Sequence, residues 1–445
     1  MINEKVDKMK RRILNKVYGR MRMVAVCVLP FSAMVSVSAQ TLEECQQAAE
    51  HNYPLIRQYD LIARTTELTV DNVRKGWLPQ LTAMAQATWQ SSVTAWPDEM
   101  QAMMGQMGVD VRGLKKDQYR VGVDVSQVVY DGGSIRSRQE VARRQGHVGQ
   151  LQNEVSLYGV RQRVNEMYFG LLLLDDQLRL NEEQQELLLS SERKLASMYR
   201  NGTAAESDYK LVKAERLNAV QQHTSLQAQR QTLQRMLALF CGWQQVEPVK
   251  PQPVAGSPSV AEVLRPELRL IDAQLQLADA QEKALDASLM PRLSVFASGF
   301  YGYPGYNMFE DMLNHRWTLN GMIGARVTWN IGALYTRHND RRQLNTQRET
   351  FHVQRDVFLL NNRLESMQQD EDIARYRRMM ADDEEIISLR SAVRKAAESR
   401  LSHGIIDVNG LVKEISSESA ARLQQSMHEI EMLKQMYDLR YTVNR

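Results

Sequence analysis

The chain has 445 residues, with 56 Lys and Arg against 53 Asp and Glu for a net charge of +3, and a mean hydropathy of −0.45. That near balance excludes a basic coat for nucleic acid, and a lone apolar stretch of near-membrane length excludes a bundle of membrane helices. With 11 prolines and 23 glycines, punctuation is sparse and long elements are expected; three widely spaced cysteines exclude a disulfide scaffold or a zinc ribbon.

Residues 1–22 carry eight Lys and Arg and two acids, followed by the 17-residue apolar stretch Met23–Ala39. It contains Pro30 and ends in Val37-Ser38-Ala39 before Gln40. A basic lead, a short apolar core and small residues at its end predict a signal peptide over 1–39. The basic lead is long, so Met9 and Met21 are alternative starts. Cys27 lies inside the apolar core, not at its end, and does not read as a lipid-attachment site. The chain after Ala39 has 48 basic and 51 acidic residues, net −3. Its two cysteines, Cys45 and Cys241, are left open between a disulfide of an oxidising compartment and two buried thiols.

From Thr41 the elements follow in two similar series. Thr41-Leu42-Glu43-Glu44 has capping-box spacing and opens a short helix. A helix is expected over 54–77, strands at about 80–90 and 119–130, a long helix over 133–200 and a return helix over 206–240. In the second strand Val121, Val123 and Val125 alternate with polar residues and glycine. The Pro-rich segment 248–265 is a linker with a short capped helix from Ser259 to Leu264. Beyond it come strands near 292–302 and 317–330, a long helix over 334–402 and a return helix over 411–441.

The two series align. Pro54 and Pro79 match Pro266 and Pro291, and Gly202 matches Gly404. Landmarks in the same order with the same elements between them indicate an internal duplication, with repeats at 40–247 and 266–445. Each long helix spans about 100 Å at 1.5 Å per residue. In the first, Val160, Val164, Met167, Leu171, Leu174 and Leu178 step by four and three, a coiled-coil seam. The rest is polar, too thin an apolar stripe for one compact helical globule and suited to helices paired edge to edge in a wall with water on both sides.

The strand near 317–330 is the most informative. Trp317, Leu319, Ile323, Val327 and Trp329 lie on one face; Asn320, Arg326 and Asn330 lie on the other. An apolar face ending in aromatics, backed by a polar face, is the pattern of an outer-membrane β-strand, the first facing lipid and the second a lumen. From Trp317 to Trp329 is about 40 Å of strand, or roughly 28 Å of height at a 45° tilt, close to the apolar band of about 25 Å. Four strands cannot close a barrel and an open edge cannot face lipid, so several copies must contribute.

The signal segment, the Thr41-Leu42-Glu43-Glu44 start, the Leu/Met-Pro entries at Pro79 and Pro291, the strand exit Val128-Val129-Tyr130-Asp131-Gly132-Gly133 and the paired turn glycines together resemble the TolC-type outer-membrane efflux proteins. The resemblance covers nearly all of 40–445. It implies a mostly α fold with membrane β structure: a homotrimer whose four strands per chain close a 12-stranded barrel in outer-membrane lipid, above an α-barrel of long antiparallel hairpins in the periplasm. It also implies a passive exit duct, working with a periplasmic adaptor and an inner-membrane transporter, and brings Cys45 near Cys241. Asn201, Gly202, Thr203, His403, Gly404 and Ile405 would form the adaptor-docking tips. An Asp six residues after the turn glycine belongs to the family's closing network. Asp208 fits in the first repeat, but Gly410 occupies that place in the second, with Lys413 where another acid is expected; Glu206 and Asp407 are the candidate substitutes. Like charges repeated around a threefold ring repel anions or bind cations, whereas an acid at a helix start also serves the helix dipole.

Residues 91–118 would form an outer loop in which Met100, Met103, Met104 and Met107 fit a short amphipathic helix better than a Cu(I) site. Asp131-Gly132-Gly133-Ser134 lacks the lysine of a phosphate-binding loop. Ser191 and Lys194 sit mid-helix and the histidines have no metal spacing, so neither an enzyme nor a cofactor or metal site is expected. His403 beside a turn glycine reads as a solvated residue or a pH sensor. Arg341-Arg342 and Arg377-Arg378 read as solvated helix faces, not nucleic-acid sites. Two other functions fit the residues less well: a structural periplasmic coiled coil, and an outer-membrane adhesin or receptor on a helical stalk.

Overall fold

The structure, a computed structural model, describes residues 40–109, 111, 113–253 and 264–444. The expected signal peptide lies outside the described residues, as does the expected short linker helix apart from Leu264. The first repeat runs α1 (Leu42–Asn52), α2 (Ile56–Arg74), β1 (Gln80–Trp89), α3 (Asp98–Gln106), β2 (Asp117–Tyr130), α4 (Ser134–Arg200) and α5 (Glu206–Cys241). The second runs α6 (Pro266–Ser288), β3 (Arg292–Tyr303), α7 (Met308–Asn314), β4 (Thr318–Thr328), α8 (Leu334–Ser402) and α9 (Val408–Val443). Short 3-10 turns at Lys75–Trp77 and Ile331–Ala333 join helix to strand and strand to helix.

Local chemistry sets the ends. The Thr41 hydroxyl accepts the Glu44 N–H at 3.3 Å and the Glu44 carboxylate accepts the Thr41 N–H at 2.8 Å, a complete capping box. Pro266 stands at the first position of α6, where no amide partner is needed. Asp131 accepts from the Gly133 and Ile135 amides at 2.9 and 2.6 Å, turning the chain from β2 into α4.

The four strands form one antiparallel sheet in chain order, with a bulge at Val128/Tyr130 where β2 leaves it. The helices make a wall in two tiers. Next to the sheet, α2 packs on α4, α4 on α6 and α6 on α8. Further away, α5 packs on α4, α4 on α9 and α9 on α8. The long helices α4 and α8 run through both tiers, while α2 and α5, and α6 and α9, take corresponding places.

Leu151 of α4 packs with Leu270 and Ala273 of α6 in the tier next to the sheet, and two larger cores lie further along the helices. The central one joins Leu42 and Cys45 of α1, Val160, Val164, Tyr168, Phe169 and Leu171 of α4, Leu237 of α5 and Leu433 of α9. Tyr168 is fully buried. Its hydroxyl lies 2.8 and 2.7 Å from the Gln40 and Val249 carbonyls and accepts the Val249 N–H at 3.0 Å, tying both ends of the first repeat to α4. Cys45 and Cys241 are buried free thiols here, with the Cys241 thiol 3.5 Å from the Cys45 carbonyl. Contact with Cys241, together with burial, pushes the Cys45 thiol far above its ordinary range. The second core joins Leu188 and Leu195 to Val212, Ala397, Val408, Leu411 and Ile415 near the helix turns.

The predicted seam of α4 is corrected in its lower part. Val160, Val164, Met167 and Leu171 are buried, but Leu174 and Leu178 are half-buried, and the buried line continues through Leu180, Leu188 and Leu195. A straight helix drifts about 20° per heptad against a strict seven-residue repeat, so the buried line leaves the 4-3 positions.

Candidate channel wall and helix tips

The register sorts every strand residue onto one of two faces. Starting from β4, Leu319 is opposite Tyr301, Tyr301 opposite Val121 and Val121 opposite Ala85. Two residues along, Gly321, Gly299, Val123 and Ala83 form the next row, and then Ile323, Ala297, Val125 and Leu81. These rows are apolar across all four strands. Leu319 and Ile323 are 82% and 84% exposed, as an apolar surface without a cover must be. At one end Trp317 stacks on Tyr119 and tilts against Tyr301, at centroid distances of 6.0 and 5.4 Å. At the other end lie Val327 and Trp329, whose indole N–H donates to the Leu289 carbonyl at 3.0 Å. Amphipathic rings at both margins of an apolar band are what a lipid layer with two polar surfaces selects.

The opposite face carries Thr82, Gln86, Arg120, Asp124, Ser126, Ser294, Ser298, Asn320 and Arg326. Asn320 accepts the Tyr306 N–H at 2.8 Å through its side chain, holding the outer end of the β3–β4 hairpin. Asn330 lies just past β4 and precedes the turn into α8. The β1–β2 loop carries α3, the helix expected from its methionines; Met100, Met103 and Met107 stay exposed.

The two helix turns are built alike. Gly202 and Gly404 have φ of 74° and 70°. The Thr203 N–H reaches back to the Met198 carbonyl at 2.9 Å, and the Ile405 N–H to the Arg400 carbonyl at 2.9 Å. Both are helix stops that need a left-handed residue, glycine for lack of a Cβ. Asn201, Gly202, Thr203, His403, Gly404 and Ile405 are all exposed. The His403 Nδ1 lies 2.7 Å from the Ser399 carbonyl, which places its proton there. The second core brings the two turns to the same end of the wall. Among the candidate acids, Glu206 pairs with Lys210 at 2.8 Å, Asp208 stands half-buried in the first turn of α5, and Asp407 caps α9 by accepting the Gly410 N–H at 2.9 Å. No helix among the described residues is long and apolar enough to cross a membrane. Nor do His, Cys, Asp or Glu form a metal-binding group among them.

A sheet with one largely apolar face, standing on paired long hairpins, agrees with the comparison by sequence: the family described as outer membrane efflux protein matches residues 45–242. That match lies within the first repeat. Solved structures extend the likeness to the rest of the fold. CusC, which forms a transmembrane channel, superposes with a TM-score of 0.67 at 14% identity, covering 90% of this chain and 91% of that one. The outer-membrane channel OprN gives 0.65 at 14% identity, over 90% and 89%. The CmeC outer membrane channel of Campylobacter jejuni gives 0.63 at 12% identity, over 90% and 85%. No curated protein matches the chain in sequence. The TolC-type architecture therefore spans both repeats. The fold is that of these outer-membrane channels.

One set of residues escaped the sequence reading. On α8, Val353, Val357, Leu360, Leu364 and Met367 step by four and three, and Ile386, Leu389 and Val393 continue the pattern lower down. All eight are exposed. Their spacing is a coiled-coil seam as plain as that of α4, but in the sequence it is diluted by the charged residues around it.

Proposed function

We propose that three copies of the chain close head to tail into one duct across the outer membrane and periplasm. The observation that carries this reading is the agreement of the free edges. On one side of the chain lie α2, β1 and α5; on the other lie α8 and β4. Leu61 and Leu68 of α2 and Leu217 and Leu239 of α5 are exposed on the first side, opposite the seam of α8 on the second. A surface whose two sides differ joins copies heterologously and closes into a ring. Edges β1 and β4 must pair in lipid, because bare backbone there has no other partner.

In this ring Trp317, Leu319, Ile323, Val327 and Trp329 meet lipid, while Asn320, Arg326 and Asn330 line the lumen. The tips at Asn201, Gly202, Thr203, His403, Gly404 and Ile405 dock a periplasmic adaptor, which links the duct to an inner-membrane transporter that supplies the energy. Glu206, Asp208 and Asp407 stand at the narrow end as the gate acids, with Gly410 and Lys413 lowering the negative charge of the second repeat.

The test is Gly202→Val and Gly404→Val. A Cβ at either site meets no atom within 4 Å, so the substitution disturbs only the turn backbone. A left-handed conformation costs a non-glycine residue about 1–2 kcal/mol. The trimer should persist in mild detergent while adaptor co-purification falls several-fold and export from cells declines with it. Normal docking and export in both variants would show that the tips lie elsewhere.

A further inference from the structure

The polar face of the sheet is not evenly polar. Within the four strands its charged residues are Arg120, Arg292 and Arg326 against Asp124, a net of +2 per copy. None of the four has an ion-pair partner among the described residues. Two of the guanidinium groups instead lie over aromatic rings of the wall. Arg120 lies over the Phe300 ring, 4.2 Å from its centroid, and Arg326 over the Phe296 ring at 4.9 Å.

Glycines make room for both rings. A Cβ on Gly324 would come within 2.8 Å of the Phe296 ring, and one on Gly122 within 2.6 Å of the Phe300 Cβ. Phe300 is 2% exposed, covered by Arg120 and by the edge of Tyr306 at 5.2 Å. Each stack of glycine, phenylalanine and arginine holds its cation in one place without neutralising it, since an aromatic face attracts a cation but carries no net charge.

We infer that this face forms an anion-preferring filter at the outer-membrane stage of the duct, favouring small anions and anionic solutes over cations. The inference rests on the ring-closed reading above. Threefold repetition brings nine guanidinium groups and three carboxylates around one lumen, and rings of Arg or Lys select anions in pores. Screening acts over about 8 Å at physiological salt, so charges on the wall still bias the ions that pass beside them. The arginines also lie outside the gate, so the bias adds to whatever the tip acids do.

The experiment is reversal-potential measurement on the purified full-length trimer in planar bilayers under a KCl gradient. The wild-type channel is expected to prefer chloride over potassium. Arg120→Gln with Arg326→Gln should lower the chloride-to-potassium permeability ratio at least twofold, and Asp124→Asn should raise it. All variants keep the same tip, so differences among them belong to the barrel. The paired opposite signs also protect the result against one variant that assembles poorly. A conducting wild type that prefers potassium, or a ratio unmoved by either change, overturns the filter and leaves the duct standing. A trimer that carries no current overturns both.

Discussion

At the scale of residues, stability concentrates in buried polar groups that the apolar pattern does not announce. Arg394 on α8 bonds Glu418 on α9, and Glu418, 3% exposed in its side chain, also accepts from Arg422 at 3.0 Å. Burial opposes ionisation of Glu418, but the Arg394 and Arg422 guanidinium groups outweigh it and hold the carboxyl below its usual range. A depressed carboxylate contributes stability above the unfolded-state value, about 4.3, and that contribution is lost as pH falls through the lower folded value. Arg394→Leu should therefore cost about 3 kcal/mol at neutral pH, the lower end for a broken buried pair because Arg422 remains. Thermal unfolding in detergent should show the gap between variant and wild type narrowing below about pH 4. A pH-independent gap would mean that lost packing, not charge, sets the cost. Tyr168→Phe removes the hydroxyl shared by Gln40 and Val249. It should lower stability by about 1–3 kcal/mol through the buried groups left unpaired, read as a reduced unfolding temperature with the trimer intact.

At the scale of elements, the long helices owe their form to sequence and their place to partners. The run from Ser134 to Arg200 contains no proline, and the left-handed Gly202 follows two residues past its end. These features are local, and its ends were legible within a residue or two. Which positions it buries was legible only in part. Val160 to Leu171 face a core built from α1, α5 and α9, whereas lower down the buried positions follow helix drift and the second core. The strands divide in the same way. Alternation was legible in two strands, near 119–130 and 317–330. Only the register disclosed that β1, β2 and β3 continue the same apolar face, because Ala83, Ala85 and Ala87 are too small to signal it. The two helix turns were legible because a turn that needs φ near 70° selects glycine.

At the scale of the whole molecule, the exposed seam of α8 is the surface on which the proposed ring depends. Leu364→Glu places a charge in the middle of the proposed joint, where it must either lose its water or part the helices. Mass measurement in detergent is expected to find the trimer largely replaced by monomer, while circular dichroism still reports full helix content. A trimer that persists in equal yield would move the joint away from α8.

The sequence by itself determined the elements, their duplication, the two-faced strand and the glycine stops, because each follows from a period or a backbone angle within a few neighbouring residues. It also carried the resemblance that names the class of duct. Only the tertiary structure decided which positions of each long helix are buried, that four strands share one largely apolar face, and that Arg120 and Arg326 rest on Phe300 and Phe296. Those facts join residues far apart in the chain, and no local pattern states which distant strand or helix will supply the other side of a contact.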